Sequence, residues 1–201
     1  MSNESTDLAG LAGRTASARS DSRRSRERLI DAVQAWMQEH SARPERLVDV
    51  AAAAGVSTAT AYRHFASVDD LIQAFVLQLP VRAAELFAQS GGQSNDPLDS
   101  FTRWNESWVA ACLEHGELAI HLRSPLGFLQ RRDAGDAVIA FACSLIEPLL
   151  RLLDGDVTMM LFTWNVTSDP REVLDLQRLG WSTKKIASYV TRAVLATPSA
   201  D

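Results

Sequence analysis

The chain has 201 residues and 46% hydrophobic content, enough for one good-sized domain or two small ones burying about 70% of the unfolded surface. Ten glycines, seven prolines and two cysteines exclude collagen-like, low-complexity and disulfide-built scaffolds. A net charge of -5 excludes a surface basic throughout, and without an apolar run of membrane length or a signal-peptide core the expected compartment is cytoplasmic, with no membrane partner.

Residues 1–21 are rich in Ser, Ala, Gly and Arg with no apolar period, and are expected to be a flexible tail. From Ser22 the pattern changes, and Leu29, Val33, Trp36 and Met37 share one face of a helix ending near His40. Pro44 suits the first turn of a second helix whose inner stripe is Leu47, Val50, Ala51 and Ala54. Gly55 stops it, and Ser57 caps a third, short helix running to Phe65. Ser67 and Asp70 have capping-box spacing for a fourth helix carrying Leu71, Ile72, Phe75 and Leu79, which Pro80 bends or interrupts.

After a loop at residues 90–95, Asp96 and Pro97 open a helix with Phe101, Trp104, Trp108 and Cys112, and a break is expected near Gly116. Pro125 and Gly127 limit the next helix. Another begins at 133–135 with Val138, Phe141, Leu145 and Leu149 as its buried face. Segments at 156–165, 169–179 and 182–196 complete the chain. Strand signals and fixed-period repeats are absent, so the fold class is all-α.

Charge divides unevenly along this chain. Residues 14–65 hold nine arginines against six acidic side chains, whereas residues 71–201 hold eleven basic and fifteen acidic ones. A basic N-terminal third suggests a module that faces an anion. Within it, AAAAGVSTATAYRHF has the layout of a helix-turn-helix: small residues let two helices cross closely and Gly55 supplies a positive φ. On the third helix Thr58, Thr60, Tyr62, Arg63 and His64 are short or planar hydrogen-bonding groups suited to phosphates and base edges. The arginines at 23, 24, 26 and 28 lie beside this face; either they and the tail reach a minor groove or the flanking phosphates, or they are a solvated basic stretch.

The stretch LVDVAAAAGVSTATAYRHFASVDDLIQAF resembles the tetracycline-repressor (TetR) family of bacterial transcription regulators, with the likeness running from about Arg24 to Phe75. The resemblance implies a three-helix DNA-binding domain at 22–67 and a larger helical effector-binding and dimerisation domain at 68–201. It also implies a homodimer, an inverted-repeat operator in double-stranded DNA, and repression relieved by a small apolar or aromatic effector. Carried over by position, Ser57 caps the recognition helix, Thr58 and Ala59 face bases, Thr60, Tyr62 and His64 contact phosphate or base edges, and Arg63 points outward. Val68 stands where the family usually has Lys. Either Arg46 supplies a phosphate contact in compensation or the affinity for DNA is modest. The alternative reading is a helical ligand-binding or protein-interaction module that no longer reads DNA.

In the C-terminal part, Phe101, Trp104, Asn105, Trp108, Phe128, Phe141, Met160 and Trp164 are the candidate effector contacts, with Trp104 and Trp108 the leading pair. Asn105, Asn165 and His121 are the polar groups to test first. The same residues also build ordinary helical cores, and both readings stay open at this point. Leu161, Trp164, Ile186, Tyr189, Val190, Ala193 and Val194 supply apolar stripes for a dimer interface in the last helices. Cys112 and Cys143 read as small hydrophobes. No spacing suggests a metal, a cofactor or an enzyme motif.

Overall fold

The structure, a computed structural model, describes residues 4–119 and 124–197, with side chains over 19–115 and 124–197. Among them the chain forms eleven helices and no strand: α1 (Glu4–His40), α2 (Leu47–Ala53), α3 (Thr58–His64), α4 (Val68–Val76), α5 (Gln78–Gln89), α6 (Pro97–Ala119), α7 (Phe128–Asp133), α8 (Ala137–Leu150), α9 (Val157–Thr167), α10 (Pro170–Arg178) and α11 (Thr183–Leu195). The all-α expectation holds. Residues up to Phe75 form one compact unit and those from Val76 a second. α4 therefore belongs to the first unit, although a boundary was expected ahead of it, at 67/68.

In the first unit Leu29, Val33 and Met37 of α1 are buried with Leu47, Val50, Ala51, Ala61 and Phe65. Trp36, expected on the same face, is half-buried and stacks on His40 with centroids 4.2 Å apart. α1 begins at Glu4, well before the predicted start at Ser22. The tail prediction rested on the missing apolar face, which governs packing, whereas an Ala- and Arg-rich segment without proline keeps good helix propensity. α2 starts at Leu47 rather than Pro44, which is buried in the approach to the helix.

Pro80 acts upstream of itself. Its missing N–H and its ring are incompatible with a helix running through from Val76, so α4 ends there and α5 restarts at Gln78, leaving Pro80 in a first turn where no donor is needed. Residues Val68–Gln89 have a mean hydropathy of 1.4 and are long and apolar enough to cross a membrane, a run the sequence reading did not expect. The break at Leu77 divides them into two helices.

The second unit is built on α6, which packs against α5, α10 and α11. It continues through Gly116 to Ala119, so the expected break is not there. α8 is capped by Asp136 and buries Ile139, Ala142, Ile146, Leu149 and Leu150. Of the predicted stripe only Leu149 is fully inside. The helix is apolar nearly all round, so periodicity left its rotation undetermined. Asp156, Asp169 and Ser182 cap α9, α10 and α11 through backbone N–H groups, as their sequence positions suggest.

A buried polar chain ties three of these helices. Trp164 of α9 donates its indole N–H to Asn105 Oδ1 on α6 at 2.9 Å, Asn105 Nδ2 donates to Thr191 Oγ1 on α11 at 2.9 Å, and Thr191 donates to Ala187 O at 2.9 Å. Each donor has an acceptor, which is what makes burial of these groups tolerable. Replacing Asn105 with Ala strands the Trp164 N–H and is expected to cost about 1–3 kcal/mol in denaturant unfolding of the full chain. A change within a few tenths would show that the chain of bonds contributes nothing to stability.

Candidate nucleic-acid interface and ligand cavity

The turn between α2 and α3 is fixed by backbone bonds before any side chain takes part. Gly55, at φ +59°, sits two residues past the end of α2, where Val56 N–H donates to Ala51 O at 2.9 Å and Gly55 N–H donates to Ala52 O at 3.1 Å. That double bond satisfies the last carbonyls of α2 and requires a left-handed residue. Arg28 Nη2 of α1 donates to Gly55 O at 3.3 Å, fastening the turn to the first helix. Ser57 Oγ then accepts from Thr60 N–H at 3.1 Å and donates to Thr60 Oγ1 at 2.9 Å.

This arrangement sorts the eight residues predicted to meet DNA. With Ala61 and Phe65 buried beneath it, α3 holds Thr58, Ala59, Tyr62 and Arg63 exposed, Tyr62 at 52%. Ser57 and Thr60 spend hydroxyl capacity on each other and on the cap. Arg46 precedes α2 and is exposed, but its guanidinium is held by the Asp49 carboxylate at 2.9 and 2.7 Å. The hydrogen bond raises the Arg46 pKa and lowers that of Asp49.

His64 is the residue whose placement departs from expectation. It is half-buried and lines a cleft with Arg19, Ser22, Arg23 and Arg26 of α1. Its Nε2 is buried without a hydrogen-bond partner. Burial first, then the charges of Arg63 and Arg26, hold the imidazole pKa below its ordinary 6.5. Arg26 also lies 5.2 Å from the Phe65 ring centroid. The arginine run was visible in sequence, but its assembly around His64 needed the fold.

In the second unit a cavity of about 400 Å³ opens between α6, α8, α9 and the chain around α10. Of the eight candidate effector contacts it collects Trp108, Phe128 and Trp164, and it adds Asn165. Phe101, Trp104, Asn105 and Met160 are instead buried away from its lining, and Phe141 is half-buried and also outside it. Trp104 meets Phe87 of α5 edge-on at 5.7 Å, so the four-residue spacing to Trp108 places the pair on neighbouring parts of α6 that face different helices. Trp108 and Trp164 meet at 4.9 Å, and Trp108 donates its N–H to Ser168 O at 2.8 Å. Arg131, Asp169, Arg171 and Glu172 at the mouth carried no motif by which sequence could find them. His121 lies outside the described residues.

Residues 29–75 match the family described as "Bacterial regulatory proteins, tetR family", and the match ends at Phe75, where the first compact unit ends. Over those residues the chain is similar to the TetR family. The fatty acid degradation regulator FadR from Bacillus halodurans has a similar structure, with a TM-score of 0.63 at 16% identity, covering 85% of this chain and 94% of that one. So does the TetR-like transcriptional regulator LfrR from Mycobacterium smegmatis, solved in complex with proflavine, with a TM-score of 0.54 at 15% identity, covering 89% of this chain and 98% of that one. No curated protein matches the chain by sequence. The family match thus covers the helix-turn-helix unit, and the structural likeness extends over the fold of the rest.

The helices expected to pair TetR-family subunits turn most of their predicted contacts inward. Leu161, Trp164, Ile186, Val190 and Val194 are buried in the unit's own core because α11 packs on both α6 and α9. Tyr189 remains 39% exposed and Ala193 half-buried. The outer side of α9 carries Met159, Phe162 and Val166, exposed at 41%, 38% and 50%.

Because the folded pKa of His64 is depressed, folding disfavours its proton, and the stability this group contributes is present above 6.5 and lost as pH falls through the lowered value. Unfolding of the full chain, followed by circular dichroism, is therefore expected to become easier from neutral to mildly acidic pH. The decline should be smaller in His64→Gln. Equal declines would assign the effect to other groups.

Proposed function

We propose that the chain is a ligand-responsive repressor that binds an inverted-repeat operator in double-stranded DNA as a cytoplasmic homodimer. The observation that carries the reading is the outward face of α3, where Thr58, Ala59, Tyr62 and Arg63 stand exposed on a helix locked by the Gly55 turn and the Ser57 cap. Groups of this size suit a major groove about 12 Å wide. Arg46 reaches a phosphate by exchanging the Asp49 carboxylate for it, which takes over the role of the lysine absent at Val68. Repression itself rests on family likeness.

The cavity around Trp108 and Trp164 is the effector site in this reading. Val76 at the end of α4 and Leu79 and Pro80 of α5 line it, so an occupant touches the chain where the second unit opens. Coupling of about 1–3 kcal/mol would change operator affinity roughly 5- to 150-fold. The exposed apolar side of α9 supports pairing of two copies, with Tyr189 and Ala193 of α11 beside it. Such a two-fold dimer sets its α3 helices about 34–36 Å apart.

DNA from upstream of the protein's own gene is expected to bind with affinity that falls steeply as salt rises. Tyr62→Ala should weaken that binding by about 1–3 kcal/mol without altering the helical signal, and undiminished binding by the variant would remove α3 from the interface. Phe162→Glu is expected to shift the protein from dimer to monomer in sedimentation at micromolar concentration. A dimer that survives the charge places the subunit contact elsewhere.

A further inference from the structure

The arginines of α1 are not equivalent once the chain is folded. Arg28 donates to Gly55 O and belongs to the turn, and Arg24 meets Asp21 at 3.7 Å. Arg19, Arg23 and Arg26 instead recur at i, i+4 and i+7 and line one cleft with Ser22 and His64, and no carboxylate is among these lining residues. Like charges at such spacings repel and cost helix stability, so solvation alone gives no reason to gather three guanidiniums on one side. Glu27 reaches Arg23 only at 3.6 Å with both groups largely exposed, a pairing weak enough to be exchanged for a phosphate.

The placement of the cleft favours a polymer over a small anion. At 1.5 Å per residue the stripe from Arg19 to Arg26 runs about 10 Å along α1, whereas successive phosphates of one DNA strand lie about 3.4 Å apart along the duplex axis. His64, the last residue of α3, borders the cleft and directly follows the exposed Tyr62 and Arg63, so the cleft begins where the outward face of α3 ends. Arg26 is steadied by the Phe65 ring, its guanidinium carbon 5.2 Å from the centroid. Burial, then the charges of Arg63 and Arg26, keep the His64 imidazole below its ordinary pKa, so at neutral pH the charge of the cleft is that of the arginines.

We propose that Arg19, Arg23 and Arg26 form a phosphate track that takes more than one backbone phosphate of a DNA strand beside the segment met by α3. This rests on reading α3 as the helix that meets DNA, and it adds a sequence-independent contact from α1. Arg24 and Arg28 take no part, the first turned to Asp21 and the second holding the Gly55 turn.

The full-length protein, titrated over a range of salt with DNA from upstream of its own gene and with unrelated DNA, tests the track. Arg19→Gln and Arg23→Gln are each expected to lower the slope of log affinity against log salt by about 1 and to weaken both DNAs alike, roughly 5- to 10-fold near 0.1 M salt. The double variant should lose about 2 from the slope, with its helical signal intact. Arg24→Gln removes the same charge outside the cleft and should leave the slope nearly unchanged. An unchanged slope in the double variant, or an equal loss in Arg24→Gln, would overturn the track, while a Tyr62→Ala variant still weakened on upstream DNA would leave the reading of α3 standing. Absence of DNA binding by the parent would overturn both. Inorganic pyrophosphate, followed by calorimetry, separates the other source of the same chemistry. Micromolar binding that disappears in the double variant while the DNA slope stays unchanged would overturn the DNA track and give the cleft to a free phosphate compound.

Discussion

At φ +59°, Gly55 reverses the chain between α2 and α3 within a single residue, and the presentation of α3 follows from that reversal. A Cβ at this position would be strained by the left-handed backbone, a cost of about 1–2 kcal/mol. It would also stand 2.7 Å from Arg28 Nη2, displacing the group that ties the turn to α1. One backbone conformation therefore sets the end of α2, the anchor to α1 and the starting direction of the helix that faces outward. Ser57 adds the cap but does not choose the direction. The exposed side chains of α3 are free to be selected for contact because none of them holds the turn together.

The second unit solves a different problem. A helix of 23 residues surrounded by others needs specific links as well as apolar contact, since aliphatic packing alone tolerates sliding and rotation. Asn105 provides one link by bonding α9 and α11 at the same time, and Trp108 another by reaching Ser168 O beyond the end of α9. Between these two positions, a single turn apart on α6, the wall changes from solid core to cavity lining. At these two positions the polar residue is fully inside and the aromatic one opens on the hollow, an inversion of the expectation that polar groups face a pocket and aromatic ones the core.

That inversion explains what the sequence made legible. Helix existence and most N-caps followed from local chemistry, because Ser57, Asp156, Asp169 and Ser182 act on backbone groups two or three residues away. The helix-turn-helix was equally local, its signal held in fifteen consecutive residues. Cavity membership is not local. Phe101, Trp104 and Trp108 lie on one helix with the same period, and only the third faces unfilled volume, a property of α8, α9 and α10 as much as of α6. The dimer stripe meets a related limit: periodicity identifies an apolar face without saying whether it is covered by the same chain or by another copy. On α9 the exposed apolar residues are Met159, Phe162 and Val166 and the buried ones Met160, Leu161 and Trp164.

The mouth of the cavity shows how little independence its parts have. Ser168, Asp169, Arg171 and Glu172 form one short stretch that accepts the Trp108 hydrogen bond, caps α10, pairs a guanidinium and adds an exposed carboxylate. Rotating the Trp108 ring breaks its bond to Ser168 O, and that carbonyl belongs to the residue preceding the α10 cap. The indole and the start of α10 are therefore linked through one backbone carbonyl. The opposite wall contains Leu79 and Pro80 in the first turn of α5, directly after the break at Leu77 that Pro80 imposes. A helix cannot absorb a displacement at its centre without losing hydrogen bonds, but it can pivot at a break where the ladder is already interrupted. The cavity thus sits against an interruption of that run whose position the proline sets.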